Sequence, residues 1–426
     1  MFFFFVTSLA AAAREECEVG IVGAGWAGIY AAYRLAEAGH KDICVFEASQ
    51  RTGGRTYSFG LDKLTIDVGA YRFAHEMHLP SDLIRHFGFD EACYEPDCAP
   101  DSEVNNYTLY KIVNDSNAAG YHMPLAAMAA KLEGARFFYG ARLVGVHPGL
   151  ALQFDNYTVT ARSVLLNLPR SAIKQLDAKD TLFVDPIAER LLGCDPCGGE
   201  RFFQIKVYCV YEYPWWRARL GIEEGYFTDV DTNPPFVGRY HDGPIFDGVV
   251  GPGALEVVYA VNLQYDQIEW YLQFRDDATE PLTVSSDPRL LDAIHTKLMK
   301  IHNLTDEKPP LAAVMGFWDL NQTHVATAPE ASNFQALVGD SCPTETCLGH
   351  VSPHDYMVRT SLDPTNGSFP LFVANNDFWY GGYQDLTCCW AEQSLRVAER
   401  ILHDHFRLPK PDWLDAHYYN TTILQL

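Results

Sequence analysis

Positive charge is scarce in this chain: 32 Lys and Arg stand against 55 Asp and Glu in 426 residues, a formal net charge of −23. A field of that sign repels nucleic-acid backbones and anionic lipid surfaces, so neither is expected as a partner. It is compatible with cationic small molecules, although acids spread over a solvated surface give the same total. No GxSxG nucleophile turn occurs, which removes the hydrolase reading that motif would carry. Cys194-Asp-Pro-Cys197 lacks the second CxxC of a zinc site, and His295, His302, His403 and His405 have no companions at metal-ligand spacing, so no metal is expected. No internal repeat and no low-complexity tract is present. What remains, with 48 % hydrophobic and 20 % charged residues, is the composition of a folded chain long enough for two cores.

The start of the chain, MFFFFVTSLAAAA, is an apolar run closing on small residues before Arg14-Glu15-Glu16. It is too short to anchor in a bilayer and reads as a signal peptide over residues 1–13, although the usual basic residues ahead of the run are missing. Asn-x-Ser/Thr acceptors at Asn106, Asn114, Asn156, Asn303, Asn321, Asn366 and Asn420 agree with a secreted glycoprotein. There are eleven cysteines, with close pairs at Cys93/Cys98, Cys194/Cys197 and Cys342/Cys347 that could close small loops in an oxidising compartment. Cys44, inside an apolar strand, reads as core.

The most informative stretch follows the leader. Glu18-Val19-Gly20-Ile21-Val22 is a short buried strand, and Gly23-Ala24-Gly25-Trp26-Ala27-Gly28 comes at once after it. The Ala- and Leu-rich pattern from Trp26 to Ala38 predicts a helix ending at Gly39, and Asp42 to Phe46 predicts a second strand ending on Glu47. Each part has a physical task. Gly23 permits the tight turn, Gly25 lets the backbone approach a pyrophosphate, and Gly28 lets helix pack on strand, with Ala27 between them a further cofactor-binding candidate. The helix N-terminus offers N–H groups and a positive dipole end to phosphate. Glu47, nineteen residues after Gly28, is placed to accept from ribose hydroxyls.

Directly after Glu47 runs Ala48-Ser49-Gln50-Arg51-Thr52-Gly53-Gly54-Arg55. This resembles the E-x(3)-R-x-G-G-R continuation of the flavin-containing amine oxidase superfamily, which implies FAD, with Arg51, Gly53, Gly54 and Arg55 near the dinucleotide. Thr65 to Ala70 is similar to that family's strand-and-glycine segment beside the flavin, which implies cofactor contacts at Gly69 and Ala70. Ala161 to Pro169 resembles its returning strand, Phe203 to Trp216 its "IK…PFW" segment, and Leu371 to Leu402 its closing strand, loop and helix.

Two further residues carry chemistry through the resemblance. Lys206 matches the lysine that holds a water near flavin N5; by strand alternation alone it could equally face solvent. Arg72, in Gly69-Ala70-Tyr71-Arg72, resembles the arginine that takes the substrate α-carboxylate in L-amino acid oxidases, a task suited to a bidentate guanidinium. The alternative is an ion pair with Asp67, Glu76 or another acid. In the C-terminal motif the family's Gly-Glu is replaced: Asn376 stands at the glutamate position, and Asp377 could serve with a shift of one residue. The segment that opens the last helix beside the flavin matches either Cys389-Trp390-Ala391-Glu392-Gln393 or Gly381-Gly382-Tyr383-Gln384-Asp385, which makes Trp390 and Tyr383 the substrate-pocket candidates.

The expected fold is α/β: a Rossmann-like FAD-binding domain carrying GxGxxG, formed discontinuously by residues 15–75, 130–170 and 330–408, with an inserted α+β substrate domain of amine oxidase type over 76–129 and 171–329. The resemblance implies a secreted oxidoreductase that oxidises the C–N bond of a small amine or L-amino acid with oxygen, giving hydrogen peroxide, ammonia and a keto acid or aldehyde. Two alternatives stay open: a polyamine or monoamine oxidase of the same fold, and a secreted flavin-binding protein without turnover.

Overall fold

The computed structural model describes residues 15–61, 64–94, 108–114, 117–173, 175–176, 188, 191–192, 203–223, 225–240, 251–260, 265–277, 280–319, 351–378 and 390–425. The parallel sheet begins with strand β1 (Glu15–Val22), crosses through helix α1 (Trp26–Glu37) and continues in β2 (Ile43–Glu47). The expected turn signals hold: Ala38 caps the helix and Gly39 takes φ +93°. Beyond β2 the sheet gains Arg136–Tyr139, and beyond β1 it gains Thr158–Leu166 and then Leu371–Val373, all parallel. The first half of Thr158–Leu166 also pairs antiparallel with Ala151–Phe154. Both faces of this sheet are covered where residues 19–22, 43–46, 164–166 and 371–373 lie side by side, and there the strands are buried throughout. In β2, Ile43 and Val45 face one core while Cys44 and Phe46 face the other.

The reading of Cys44 as plain core is corrected. It lies in the core but forms a disulfide with Cys17, Cα atoms 6.0 Å apart, which ties β2 to β1. Cys17 precedes the predicted start of the strand and gave no sign of a partner 27 residues away. Cys93 is disulfide-bonded too, and Cys209 is a buried free thiol. The other expected pairs, at Cys194/Cys197 and Cys342/Cys347, lie outside the described residues, as does Cys98.

The second sheet has six antiparallel strands, with Phe203–Tyr211 at its centre between Gly253–Ala260 and Ala312–Asp319. Helix Pro288–His302 covers one face. Asp287 caps it by accepting from the Arg289 N–H at 2.9 Å, and Asn303 ends it in the left-handed conformation. Its Leu290, Leu291, Ile294 and Leu298 pack on Ile205, Val207 and Cys209, the odd-numbered side chains of the central strand. Each fully buried aliphatic chain there contributes about 1.5–3 kcal/mol. The even-numbered side chains point the other way, where Tyr208 and Val210 pack on Leu64, Ile66 and Val68. That packing brings the second sheet against the segment leading to Gly69.

The last long helix, Ala391–Phe406, lies along α1. Between them is a buried polar knot. Glu399 accepts from Tyr30 Oη at 2.6 Å and from Arg34 Nε and Nη2 at 3.2 Å each, and Arg34 also donates to the Pro409 carbonyl at 2.6 Å. Burial raises the pKa of Glu399 against the lowering influence of Arg34. Breaking such a pair from one side strands the other charge. Glu399→Ala should therefore lower unfolding stability by about 3–5 kcal/mol in denaturant titrations. Glu399→Gln, which keeps one acceptor oxygen for Tyr30 Oη and Arg34 Nε but loses the one for Arg34 Nη2, should cost less. Equal losses for the two variants would count against the pairing.

Candidate functional site

The carboxyl ends of the parallel strands gather the site, the usual place for a ligand in an open α/β sheet. Gly23 leaves β1 with φ +97° and donates to the Phe46 carbonyl at 2.7 Å. A Cβ on Gly23 would overlap the carbonyl oxygen of Asn167, and one on Gly28 would overlap the carbonyl oxygen of Gly23. A Cβ on Gly25 would lie 2.9 Å from Asn167 Nδ2. Ala27 is fully enclosed in the first turn of α1. Glu47, at the end of β2, accepts the Ala24 N–H at 2.8 Å through Oε2 and the Ser49 N–H at 2.9 Å through Oε1. The arrangement fits a dinucleotide: backbone N–H groups and a helix N-terminus without bulky side chains, with a carboxylate one strand away.

The Arg51–Arg55 loop lies against this turn. Gly53 donates to the Ala24 carbonyl at 2.8 Å, and a Cβ on Gly54 would be 3.5 Å from Gly25 Cα. Arg51 is turned inward: it donates to the carbonyls of Thr52, Gly54 and Thr56 and stacks over Tyr57 at 4.0 Å. Burial lowers its pKa. Arg55 reaches the C-terminal motif, donating to Asp377 and Asn375 at 3.2 Å each and to Asn376. Asp377 also accepts the Arg170 N–H at 3.0 Å, and Ser394 accepts the Asn376 N–H at 3.0 Å. The departures at Asn376 and Asp377 therefore keep this motif joined to the loop that follows β2.

Gly69 and Ala70 come next, paired back to the loop by Gly69 N–H to Tyr57 O at 3.1 Å and Ala70 N–H to Arg55 O at 3.0 Å. Lys206 is 1 % exposed, which decides between the two faces open to it. Its Nζ donates to the carbonyls of Gly69 at 2.6 Å and Asp67 at 3.1 Å and sits 3.3 Å from the Tyr71 ring centroid. Arg72 is buried as well, its guanidinium carbon 5.2–5.8 Å from the rings of Tyr71, Tyr94, Tyr259 and Trp390. Burial opposes its charge, but the surrounding tyrosines outweigh that and its pKa is raised.

Arg72, Lys206 and Trp390 are thus brought to one wall, joined through Tyr71 and Tyr259. Trp390 immediately precedes the last helix, which begins at Ala391, so Trp390-Ala391-Glu392 is the segment that opens it. Glu392 faces inward to the Leu79 N–H at 2.8 Å, Arg396 Nε at 3.0 Å and Tyr418. Tyr383 lies outside the described residues. Asn167, Tyr71, Tyr94 and Tyr259 escaped the sequence reading. Two had a local signal, since Tyr71 precedes Arg72 and Asn167 ends the returning strand; Tyr94 and Tyr259 arrive only through tertiary packing. Among the described residues there is no cluster of His, Cys, Asp or Glu able to hold a metal, and no helix long and apolar enough to cross a membrane.

Residues 21–87 match the NAD(P)-binding Rossmann-like domain family. L-amino acid oxidase Lm29 of Lachesis muta is 44 % identical over 72 residues, covering 16 % of this chain and 14 % of that protein. The L-amino-acid oxidase of Naja atra is 42 % identical over 72 residues, with the same coverage. The chain thus spans a small part of the length of these relatives. Similarity of structure extends much further. A putrescine oxidase double mutant superposes with TM-score 0.54 at 13 % identity, over 91 % of this chain and 99 % of that one. A structure from Exiguobacterium sp. 255-15, described as a protoporphyrinogen oxidase, does so with TM-score 0.56 at 14 % identity, over 92 % and 99 %. The chain has a Rossmann-like dinucleotide-binding fold of the kind seen in putrescine oxidase.

Proposed function

We propose that this protein is an FAD-dependent oxidase of L-amino acids, with oxygen as acceptor. The observation that carries the reading is the placement of Arg72 and Lys206 on one buried wall with Gly69, Tyr71 and Trp390. FAD is held by Gly23, Gly25, Ala27, Gly28, Glu47, Arg51, Gly53, Gly54, Arg55, Gly69, Ala70, Asn376 and Asp377. When bound, FAD would supply the two-electron acceptor for oxidation of the carbon beside the substrate amine. Arg72 takes the substrate carboxylate with its two parallel N–H edges, which orients that carbon. Lys206 holds a water beside the reacting centre, and Trp390 and Tyr383 wall the substrate. Water hydrolyses the imine product to a keto acid and ammonia, and the two electrons and two protons taken from the substrate amine would pass to oxygen, giving hydrogen peroxide.

The division into a dinucleotide-binding part (15–75, 130–170 and 330–408) and a substrate part (76–129 and 171–329) belongs to the same proposal. So does passage through the secretory pathway after removal of residues 1–13. The Cys17–Cys44 disulfide favours an oxidising compartment. The acceptor residues Asn156, Asn303, Asn366 and Asn420 are all exposed, as glycosylation requires.

Anaerobic bleaching of the flavin absorbance tests the substrate class. L-amino acids should bleach it, whereas putrescine, longer polyamines and monoamines should not; the reverse pattern would transfer the assignment to a polyamine or monoamine oxidase. A yellow protein bleached by none of them would favour a flavoprotein without turnover. Arg72→Ala should lower kcat/KM for L-amino acids on the order of 100-fold, the loss of about 3 kcal/mol for a charged hydrogen-bonded pair. Undiminished activity would remove the carboxylate role. Gly28→Ala, whose methyl overlaps the Gly23 carbonyl, should yield protein purified without yellow colour; retention of stoichiometric flavin would count against the turn as the cofactor site.

A further inference from the structure

We infer that Asn167 is the positioning residue of the dinucleotide turn and that its neutral carboxamide is required there for the pyrophosphate to be admitted. The inference rests on the FAD reading above and goes beyond it to a residue outside the glycine fingerprint. Asn167 directly follows the strand Thr158–Leu166, which runs parallel to β1, and its N–H continues that pairing to the Val22 carbonyl at 2.7 Å. The side chain, 9 % exposed, turns across the end of β1, and Nδ2 donates to the Gly23 carbonyl at 3.3 Å. The same nitrogen lies 2.9 Å from where a Gly25 Cβ would be and 3.2 Å from where a Gly28 Cβ would be. It therefore touches all three glycines of the turn from the side of the neighbouring strand.

Two consequences follow from the chemistry of that position. Donation to Gly23 O holds the turn in its left-handed bend, φ +97° at Gly23, with the ligand-facing backbone already arranged before binding. The charge of the side chain is equally constrained. The N-terminus of α1 favours an anion, and the pyrophosphate is that anion. An isosteric carboxylate at 167 would lose the donation to Gly23 O and place negative charge at the same helix end, where it repels the diphosphate. Loss of the donation is common to any variant without the amide nitrogen, whereas the repulsion belongs to the carboxylate alone, so weakening of cofactor binding beyond that of alanine is a pattern that a residue needed only for packing does not produce.

The test compares wild type, Asn167→Asp and Asn167→Ala for FAD affinity, by fluorescence of flavin released on dilution and by titration of apoprotein. The thermal midpoint of each apoprotein is measured alongside. Both variants should lower the apoprotein midpoint, and Asn167→Asp should weaken FAD binding at least about tenfold beyond Asn167→Ala. Unchanged affinity in Asn167→Asp, with wild type binding normally, overturns the inference alone. Equal weakening in both variants with equal loss of apoprotein stability also overturns it, leaving a packing role. Wild-type apoprotein that takes up no FAD overturns the cofactor reading, and this inference with it.

Discussion

Three consecutive carbonyls, those of Asp67, Val68 and Gly69, fasten the antiparallel sheet to the segment that leaves the hairpin of Ser58–Leu61 and Leu64–Asp67. Lys206 Nζ donates to the first and third, Tyr208 Oη donates to the first at 3.2 Å, and Trp318 Nε1 donates to the second at 2.6 Å. All three donors come from the antiparallel sheet, while the carbonyls belong to the segment leaving the hairpin next to the dinucleotide turn. Left unsatisfied, buried carbonyls of this kind cost about 1–3 kcal/mol each, so the antiparallel sheet is bound to one position on that segment. Close approach is part of the same constraint. A Cβ on Gly316 would be 2.6 Å from Val68 O, and one on Gly69 would be 2.6 Å from the Tyr57 nitrogen. Arg72 is three residues past this fastening, and its position inherits the precision.

Lys206 consequently belongs to both architecture and site. Its ammonium is committed to backbone oxygens of the segment beside which the reaction is proposed to occur. A lysine so placed fixes the distance between that segment and the substrate sheet as well as supplying charge. Strand alternation could not distinguish this from a solvated lysine, because alternation says only that Lys206 and Ile205 face opposite ways. The missing fact was that both faces of this sheet are covered, one by helix Pro288–His302 and the other by the hairpin around Leu64 to Val68.

The same division separates what was legible in the chain from what was not. The glycine turn, Glu47, the Arg51–Arg55 loop and the helix from Trp26 were readable because all their determinants lie within about 40 consecutive residues, where steric and capping rules act locally. The Cys17–Cys44 bond, the Glu399–Arg34–Tyr30 knot and the rings around Arg72 depend on neighbours brought in by the sheets. Glu399 lies 365 residues from Arg34, and nothing near either residue announces the other. The C-terminal motif is an intermediate case. Asn375, Asn376 and Asp377 break the expected pattern in type, but side-chain oxygens at these positions still meet Arg55, so geometry survived where identity did not.

Global charge and local charge point in opposite directions here. A net charge of −23 draws cations toward the molecule as a whole. The buried wall is built otherwise: the Tyr259 ring alone has Arg72, Lys206 and Arg239 within 6 Å of its centroid. Inside a protein, where charges are weakly screened, a guanidinium disfavours an approaching ammonium by several times its effect in water. A carboxylate on the substrate converts that penalty into attraction, and an amine without one has nothing to offset it. On the proposed function, selectivity for amino acids over polyamines would follow from the wall and not from the surface field. The acidity that first suggested amines as substrates is then a property of the solvated exterior.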